Sequence, residues 1–341
     1  MIAEAPSFGM SESMRAIVMR GPGGPEVLEL RSVPAPSPGH GEVRVCVLAA
    51  GINRADVLQR RGSYPAPPGW PSDIPGLEFA GVVDEVGPGA GPAPGDRVMG
   101  IVGGGGYAER VVVHGRAVVP VPAGMTWTEA GAVPEAFMTA FDALVLQMRL
   151  RVGETVLVHA VASGVGTAAL QLALAAGAGV IGTSRSPAKL ARATELGLEH
   201  GIPSGEGDWP ERVLELTGRR GVDVVLDLVG GPYLGGNQRV LASRGRMIVV
   251  GVTGGARGEL DLRALMAGRG TLTGTVLRAR PLEETIALAR TFTDHIVPLL
   301  AAGQVRPVVD RVFQPEAVAE AHRRLEANET FGKLVIAWDT E

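Results

Sequence analysis

A short glycine-containing stretch between a strand pattern and a helix pattern constrains the fold of this chain most strongly. In "ETVLVHAVASGVGTAALQLALAAG" an apolar run is followed by Gly164, Gly166 and Ala169, which fit the spacing G-x-G-x-x-A. The first glycine permits a tight turn, the second lets the backbone approach a diphosphate, and the small third residue allows close helix–strand packing. The helix N-terminus then offers free N–H groups and the positive end of its dipole. The stretch predicts a dinucleotide-binding turn, and a plain strand-to-helix connection is the alternative.

The context of this stretch favours the dinucleotide-binding interpretation, because strand and helix patterns alternate from about Ala136 to Leu277. The strand patterns are "ETVLVHA", "GVIGTS", "VDVVLDLVG", "RMIVVGVT" and "GTLTGTV". Helix patterns such as "PAKLARATELG" and "ERVLELTG" separate several of them. Repeated βαβ units predict a parallel, doubly wound α/β sheet.

The first third of the chain has a different texture, with many glycines and prolines between short β-rich runs such as "EVRVCVLAAGI" and "FAGVVDEVG". This pattern predicts a strand-rich domain with tight connections. The run "GGGGY" at 103–107 predicts a hairpin connection between two of its strands. After Leu277 a long helix pattern, "PLEETIALARTFTDHIVPLLAAG", precedes two further strand patterns, "RPVVDRVF" and "GKLVIAW".

Length and composition limit the remaining possibilities. A chain of 341 residues exceeds the usual size of one core, so we expect two domains. The net charge of −4 offers no broad basic surface, which makes nucleic acid an unlikely partner. Residues 1–13 predict a disordered leader without the features of a secretory signal. A single cysteine, Cys46, and the lack of a long apolar segment favour a cytoplasmic protein with no membrane partner.

The residues after the second strand of the alternating region indicate which dinucleotide would bind. A site for an unmodified ribose usually has Asp or Glu about 20 residues after the glycines. Here Ser184 takes that place, followed by Arg185 and Lys189, and no carboxylate occurs between Gly166 and Glu195. Hydroxyl and cationic groups suit a 2′-phosphate, so the sequence favours NADP(H) over NAD(H). The alternative is that these cations are simply solvated.

The sequence lacks the residues that several other catalytic mechanisms require. The six histidines are scattered without the spacing of metal ligands, and Leu77 in "IPGLEFAG" cannot bind a metal, so we expect no zinc. The three tyrosines have no lysine four residues later, and the nucleophile motif G-x-S-x-G is missing. Hydride transfer by a cofactor remains, in which the protein orients the reactants and stabilises charge.

Six dispersed stretches carry a resemblance to a known family: "PGGPEVLEL", "GINRADVLQRRGSYP", "IPGLEFAG", "SGVGTAALQLA", "VLRARPLEE" and "EAHRRLEANETFGKLV". From about Met14 to Trp338 the chain resembles the medium-chain dehydrogenase/reductase superfamily. It is similar to the zinc-independent, zeta-crystallin-like quinone oxidoreductases, and most of all to their stress-inducible NADPH:quinone reductase branch. The resemblance implies a GroES-like β-rich catalytic domain of residues 14–135 and 278–341 around a Rossmann NADP(H)-binding domain of residues 136–277. It also implies a homodimer formed through the edge of the Rossmann sheet, for which "TLTGTV" is a plausible edge strand.

The resemblance assigns roles to single residues as well. Asn53 in "NRAD" and Tyr64 in "RGSYP" are implied to line the nicotinamide and substrate pocket and are the expected catalytic residues. Lys333 is implied to close over the phosphates. The complete set of expected cofactor contacts is Asn53, Thr139, Ser163, Gly164, Val165, Gly166, Ser184, Arg185, Lys189, Gly251, Val252, Leu277 and Lys333.

The sequence departs from the family at one point. Many relatives have a tyrosine in an "NY" pair that supports the 2′-phosphate, whereas this chain has Pro203 and Ser204. The expected activity is NADPH-dependent reduction of a quinone by direct hydride transfer, with Tyr64 or Asn53 stabilising charge on the oxygen and water able to supply the proton. Two alternatives stay open: reduction of an enone or alkenal double bond, and a non-catalytic NADPH-binding protein.

Overall fold

The computed structural model describes residues 12–205 and 208–338. Most of the predicted leader, residues 1–11, lies outside the described residues. The first strand already begins at Ser13, inside the range predicted as leader.

The elements follow one another in three groups along the chain. The first group is β1 (Ser13–Met19), β2 (Leu28–Pro34), β3 (Glu42–Ile52), α1 (Arg54–Arg60), β4 (Glu78–Val86), β5 (Arg97–Ile101), β6 (Arg110–His114), β7 (Val119–Pro120) and α2 (Trp127–Ala130). The second group is α3 (Thr139–Phe141), β8 (Thr155–Val158), α4 (Gly164–Ala175), β9 (Gly179–Ser184), α5 (Pro187–Thr194), β10 (His200–Pro203), α6 (Trp209–Leu216), β11 (Val222–Asp227), α7 (Gly231–Val240), β12 (Leu241–Val249), α8 (Leu262–Gly268) and β13 (Thr271–Gly274). The third group is α9 (Leu282–His295), α10 (Val297–Ala301), β14 (Val309–Phe313), α11 (Val318–Glu326) and β15 (Lys333–Ala337).

Two large sheets organise these elements. The six-stranded sheet is parallel and has the order β10-β9-β8-β11-β12-β13, which is 3-2-1-4-5-6 in chain order. This is the strand order of dinucleotide-binding domains. The seven-stranded sheet has the order β14-β15-β3-β4-β5-β7, with β6 also pairing with β3, so it combines both ends of the chain. The predicted fold class is confirmed, while the bounds at 135/136 and 277/278 stay a prediction.

A helical segment, residues 134–147, crosses between the two sheets. It consists of α3 flanked by two π-helical stretches, Pro134–Met138 and Asp142–Gln147. Phe137 and Phe141 of this segment belong to one hydrophobic cluster with Met99 of β5 and Val156 of β8. All four side chains are buried, so the cluster ties the two sheets together and fixes the cleft between them.

Two local predictions were wrong. The glycine run at 103–107 is not a hairpin, because β5 pairs with β4 and β7 whereas β6 pairs with β3. A Cβ on Gly103 would lie 2.4 Å from the ring of Trp70. The segment therefore needs glycine at this position because it packs directly against Trp70. The long helix after Leu277 is divided into α9 and α10, since Pro298 lacks an N–H and its ring clashes with the preceding turn.

Five helices were not predicted at all, namely α1, α2, α3, α7 and α8. The sequence of α7, "GPYLGGNQRV", contains three glycines and a proline and has low intrinsic helix propensity. In the described part of the chain, no helix is both long enough and apolar enough to cross a membrane.

Candidate functional site

The start of α4 is built to accept an anionic group. Ser163 is the N-cap residue, and its Oγ accepts a hydrogen bond from the N–H of Gly166 at 3.0 Å. Within the described residues the N–H of Val165 has no hydrogen-bond partner, and the N–H of Gly164 is directed only to the carbonyl oxygen of Gly332 in an isolated bridge between the two segments. A backbone donor without a partner at the positive end of a 12-residue helix suits an oxygen of a diphosphate.

The glycines of this turn owe their identity to close contacts. A Cβ on Gly166 would lie 2.3 Å from the carbonyl oxygen of Ala160, so only glycine lets the helix start pack against the loop after β8. A Cβ on Gly164 would lie 2.5 Å from Cδ of Lys333, whose methylene stem crosses the turn. The second glycine thus serves helix packing here, while the first gives room to a side chain from the other domain.

A group of cations surrounds the end of β9, where the adenosine end of a dinucleotide would lie. Ser184 is buried at the last position of this strand, and Lys189 lies in the first turn of α5. The Nζ atom of Lys189 donates to the carbonyl oxygen of Asn328 at 2.6 Å. From the other domain, Arg54 donates to Oδ1 of the same Asn328 at 2.9 Å. Arg54 was not among the predicted residues, although it directly follows Asn53 in the quoted motif.

These cations repel one another. Burial lowers the pKa of Arg54 and of Lys189, and the charge of the exposed Arg185 lowers both pKa values further. Mutual repulsion among positive groups favours the binding of an anion at this position.

Lys333 occupies the centre of the cleft between the domains. Its Nζ atom donates to Oε1 of Glu78 at 2.6 Å, to the carbonyl oxygen of Ile52 at 3.1 Å and to Oδ1 of Asn53. The amide nitrogen of Asn53 donates to the same Oε1 of Glu78 at 2.8 Å. Both ends of the Asn53 amide are therefore engaged, and the ammonium of Lys333 is paired with Glu78. Its predicted contact with phosphates requires this pair to open and stays a prediction.

A second buried chain of hydrogen bonds lies behind Asn53. Asp56 accepts from the N–H of Asn53 at 2.7 Å and from the hydroxyl of Tyr107 at 2.9 Å, and the Tyr107 hydroxyl contacts His322 at 3.3 Å. Burial raises the pKa of Asp56 to about 6, and burial also lowers the pKa of His322 to about 3. This chain holds the backbone of Asn53 at the start of α1.

The crossing segment supplies two polar groups to the cleft. Thr139 is buried, and its Oγ1 atom has no hydrogen-bond partner among residues 12–205 and 208–338. One turn earlier, Oε2 of Glu135 is also buried without a partner, and the N–H of Glu135 donates to Oε2 of Glu78 at 2.8 Å. The orphaned Thr139 hydroxyl agrees with its expected contact to a cofactor.

Tyr64 lies on the opposite side of the cleft beside Arg278. The guanidinium carbon of Arg278 lies 5.0 Å from the centre of the Tyr64 ring, and its Nη1 atom donates to the Tyr64 carbonyl at 2.9 Å. Burial raises the pKa of Tyr64, and the nearby Glu135 raises it further. Tyr64 and Asn53 share no direct contact; Glu135 lies within electrostatic reach of Tyr64 and hydrogen-bonds to Glu78, which contacts Asn53.

The remaining predicted contacts follow the last two strands of the parallel sheet. Gly251 and Val252 follow β12 after one intervening residue, and Leu277 comes shortly after β13. A Cβ on Gly251 would lie 3.1 Å from the carbonyl oxygen of Leu228, so the backbone there runs close to the end of β11. All three residues lie at the carboxyl edge of the sheet, where dinucleotides bind in such folds.

Sequence reasoning missed Glu78 and Glu135, although both had a visible signal. Each is a carboxylate inside an otherwise apolar run, "IPGLEFAG" and "GAVPEAFMTAF". Leu77, between Gly76 and Glu78, is buried. In the ranges 12–205 and 208–338, no three His, Cys, Asp or Glu side chains come together in a way that could hold a metal ion.

Two family descriptions match the chain. Residues 39–123 match the family described as "Alcohol dehydrogenase GroES-like domain", and residues 164–293 match the one described as "Zinc-binding dehydrogenase". Quinone oxidoreductase of Rattus norvegicus is 32% identical over 327 residues, which cover 95% of this chain and 97% of that protein.

Two solved structures are also similar to this chain over nearly its whole length. The structure of an NAD-dependent alcohol dehydrogenase superposes with a TM-score of 0.85 at 37% identity and covers 96% of this chain and 100% of that one. The structure of quinone oxidoreductase from Pseudomonas syringae pv. Tomato DC3000 has a TM-score of 0.85 at 30% identity, with 95% and 100% covered.

Proposed function

The chain belongs to the quinone oxidoreductases of the medium-chain dehydrogenase/reductase superfamily, and from that premise we propose that it reduces a quinone with NADPH, without a metal ion. The observation that carries the proposal is the start of α4, with the unpartnered N–H of Val165, at one end of the cleft, together with the cations around Ser184 at the other. The orphaned hydroxyl of Thr139 between them also fits a bound dinucleotide.

The residues that would hold the cofactor form three groups, one for each part of NADPH. The start of α4, with Ser163, Gly164 and Val165, suits the diphosphate. Ser184, Arg185 and Lys189 suit a phosphorylated ribose, and we add Arg54, which approaches from the catalytic domain and can replace the missing "NY" tyrosine. Thr139, Gly251, Val252 and Leu277 would contact the nicotinamide. When bound, the reduced nicotinamide supplies the hydride.

The chain's own residues exclude water and position the acceptor. Tyr64 and Arg278 border one side of the pocket, and Asn53 with its Lys333–Glu78 pair borders the other. The positive charge of Lys333 is balanced by Glu78, and the buried Leu77 contributes no ligand, which supports a reaction without metal. The same arrangement could also serve an α,β-unsaturated carbonyl, whose oxygen takes up negative charge in the same way.

Turnover with both acceptor classes tests the activity. Under anaerobic conditions the protein is mixed with NADPH and 1,4-benzoquinone, and loss of the near-ultraviolet absorbance of the nicotinamide is followed. We expect kcat/KM for the quinone to exceed that for a simple enone by at least about tenfold, or about 1.4 kcal/mol. A reversed order would make the chain an enone reductase, and binding of NADPH without turnover on either would make it a non-catalytic NADPH-binding protein.

We also propose a homodimer formed through the edge of the parallel sheet. β13 is an edge strand, and it displays a row of unpaired backbone groups. Large hydrophobic side chains are exposed around it: Leu262, Met266, Leu272 and Val276. Sedimentation of Leu272→Arg should show a monomer where the unmodified chain sediments as a dimer. A cytoplasmic location, which the single unpaired cysteine Cys46 supports, completes the proposal.

A further inference from the structure

The proposed reaction needs a proton donor for the acceptor oxygen, and three groups near the acceptor pocket are Asn53, Tyr64 and Glu135. The side-chain amide of Asn53 is already engaged, because its nitrogen donates to Glu78 and to the carbonyl oxygen of Gly51 and its oxygen accepts from Lys333. Tyr64 holds its proton more firmly than an ordinary tyrosine, since burial raises its pKa. Neither group is suited to give up a proton near neutral pH.

Glu135 differs from both. It lies in the π-helical stretch Pro134–Met138, where the chain crosses between the domains. One carboxyl oxygen, Oε2, is buried and has no hydrogen-bond partner in the described part of the chain. The residue as a whole is partly exposed.

The position of Glu135 is fixed by its own backbone. Its N–H donates to Oε2 of Glu78, and the other oxygen of Glu78 is held by Lys333 and Asn53. The unpartnered hydroxyl of Thr139 follows about one helical turn later. Two polar groups without partners therefore lie close together on one segment at the cleft, which is where a native structure leaves polar groups for a ligand.

The charges around Glu135 determine whether it holds a proton. Burial is the largest effect, and together with the repulsion from Glu78 it raises the pKa of Glu135 to about 8. The ammonium of Lys333 acts in the opposite direction, but it is committed to Glu78. The titratable and charged groups that act on Glu135 come from four surrounding parts of the chain: Glu78 of β4, Asp56 of α1 and Tyr64 after it, Lys333 of β15, and Arg278 after β13.

We propose that Glu135 is a catalytic residue of the proposed reduction, in which its protonated carboxyl group donates a hydrogen bond and then the proton to the acceptor oxygen. An acceptor that has received a hydride carries one negative charge on that oxygen. Transfer of the proton forms one of the two O–H bonds of the hydroquinone and breaks the carboxyl O–H bond, and the hydrogen that arrived as hydride ends in the other O–H bond. The Glu135 carboxylate is then reprotonated by water, so that the reaction consumes one quinone, one hydride from the reduced nicotinamide and one proton. This inference rests on the proposed function and names the acid that it lacked.

The test compares Glu135→Gln with Glu129→Gln, the same change in a carboxylate that only caps α2. We expect Glu135→Gln to lower kcat by about 100-fold and to remove the decline of kcat above about pH 8, because general-acid catalysis contributes on that scale. The Kd for NADPH, measured by tryptophan fluorescence, should change by less than about twofold. Glu129→Gln should leave kcat and its pH profile unchanged.

A second readout needs neither cofactor nor turnover. The infrared spectrum of the unliganded protein at neutral pH should contain the C=O stretch of a protonated carboxyl group. This band should be lost as the pH rises through about 8 and be missing in Glu135→Gln. If Glu135→Gln does not fold, Glu135→Asp keeps an acid and should shift the alkaline limit of kcat instead of abolishing it.

The outcomes separate the two proposals. If the unmodified protein binds no NADPH or reduces no quinone, the proposed function fails. If it does both, but Glu135→Gln retains the full rate and the same pH profile, or no protonated carboxyl is present at neutral pH, the inference on Glu135 is wrong.

Discussion

Two buried polar clusters, one within the Rossmann domain and one at the junction between the two sheets, differ in how completely their hydrogen bonds are made. The Rossmann cluster consists of His159, Thr183, Asn237 and Asp227 at the carboxyl ends of the parallel strands. Thr183 contacts Nδ1 of His159 at 2.8 Å, Nε2 contacts Oδ1 of Asn237 at 2.6 Å, and Nδ2 of Asn237 donates to Asp227 at 2.8 Å. Asp227 also accepts from the N–H groups of Val229 and Gly230.

The junction cluster consists of Asn53, Glu78, Lys333, Glu135 and Thr139 between the two sheets. Its ion pair is closed, but Oε2 of Glu135 and Oγ1 of Thr139 have no partner among the described residues. A fully bonded cluster fixes structure, whereas buried groups without partners cost free energy unless a ligand completes them. The comparison therefore assigns the first cluster to the architecture and the second to function.

The largest effect is expected from Lys333→Met, which keeps the apolar stem over Gly164 but removes the charge opposite Glu78. Both side chains of the pair are buried, at 5% and 0% exposure, so Glu78 is left without its counter-ion. We expect a loss of about 3–5 kcal/mol in the free energy of unfolding, measured with urea. The double variant with Glu78→Gln should recover most of it, and a loss below about 1 kcal/mol would mean that the pair is hydrated.

The second largest loss of stability is expected from a substitution in the Rossmann cluster. Asn237→Leu removes the partner of both His159 and Asp227, two groups that are 0% exposed. Unsatisfied buried groups cost about 1–3 kcal/mol each, so unfolding should become easier by about 2–5 kcal/mol. Gln238→Ala, which loses hydrogen bonds only to the exposed Asp261, should cost less than about 1 kcal/mol. Equal effects would contradict the structural role of the cluster.

The two clusters should also respond to pH in opposite directions. Burial lowers the pKa of His159 from 6.5 to about 4, so the unfolded chain binds that proton first and stability is lost as the pH falls through this range. The pKa of Glu135 rises from 4.5 to about 8, so its contribution is lost as the pH rises towards 8. Asp56, whose pKa is raised to about 6, also lowers the stability as the pH rises, but it does so mainly below about pH 6.

The window between about pH 6.5 and pH 8 therefore isolates Glu135 from the groups that titrate at lower pH. In this window the unmodified chain should lose about 1.4 kcal/mol of stability per pH unit, while Glu135→Gln should lose little. Urea unfolding at several pH values checks the slope. A slope that persists in Glu135→Gln would assign the titration to another group.

The smallest effect comes from one substitution made at two threonines. Thr183→Val leaves Nδ1 of His159 without its partner and should cost about 1–2 kcal/mol. Thr139→Val removes a buried hydroxyl that has no partner, and the unliganded protein should stay within about 0.5 kcal/mol of the original or become more stable. Only Thr139→Val should weaken NADPH binding. If both variants lose the same stability, Thr139 is a structural residue.

How much of each region can be predicted from the sequence depends on how far apart the interacting residues lie along the chain. The parallel sheet and the strand-to-helix turn at Gly164 follow from local patterns, and both are present. Lys189 lies in the first turn of α5, directly after the end of β9, and its contact with a 2′-phosphate stays a prediction. The pairing of Lys333 with Glu78 joins residues 255 positions apart, and no local pattern contains it.

Tertiary packing explains the other omissions. Helix α7 forms despite its three glycines because Asn237, on its buried face, completes the Rossmann cluster. The contact of Arg54 and Lys189 with Asn328 needs both domains in place before it exists. Such contacts override propensity and become visible only in the folded chain.

Calorimetric titration of the unmodified chain with NADPH and with NADH tests the account most directly. We predict that NADPH binds at least about tenfold more tightly, which corresponds to about 1.4 kcal/mol from the cations near Ser184. Lys189→Met should lose most of this difference without affecting the affinity for NADH. Binding of neither nucleotide, or tighter binding of NADH, would contradict the proposed site.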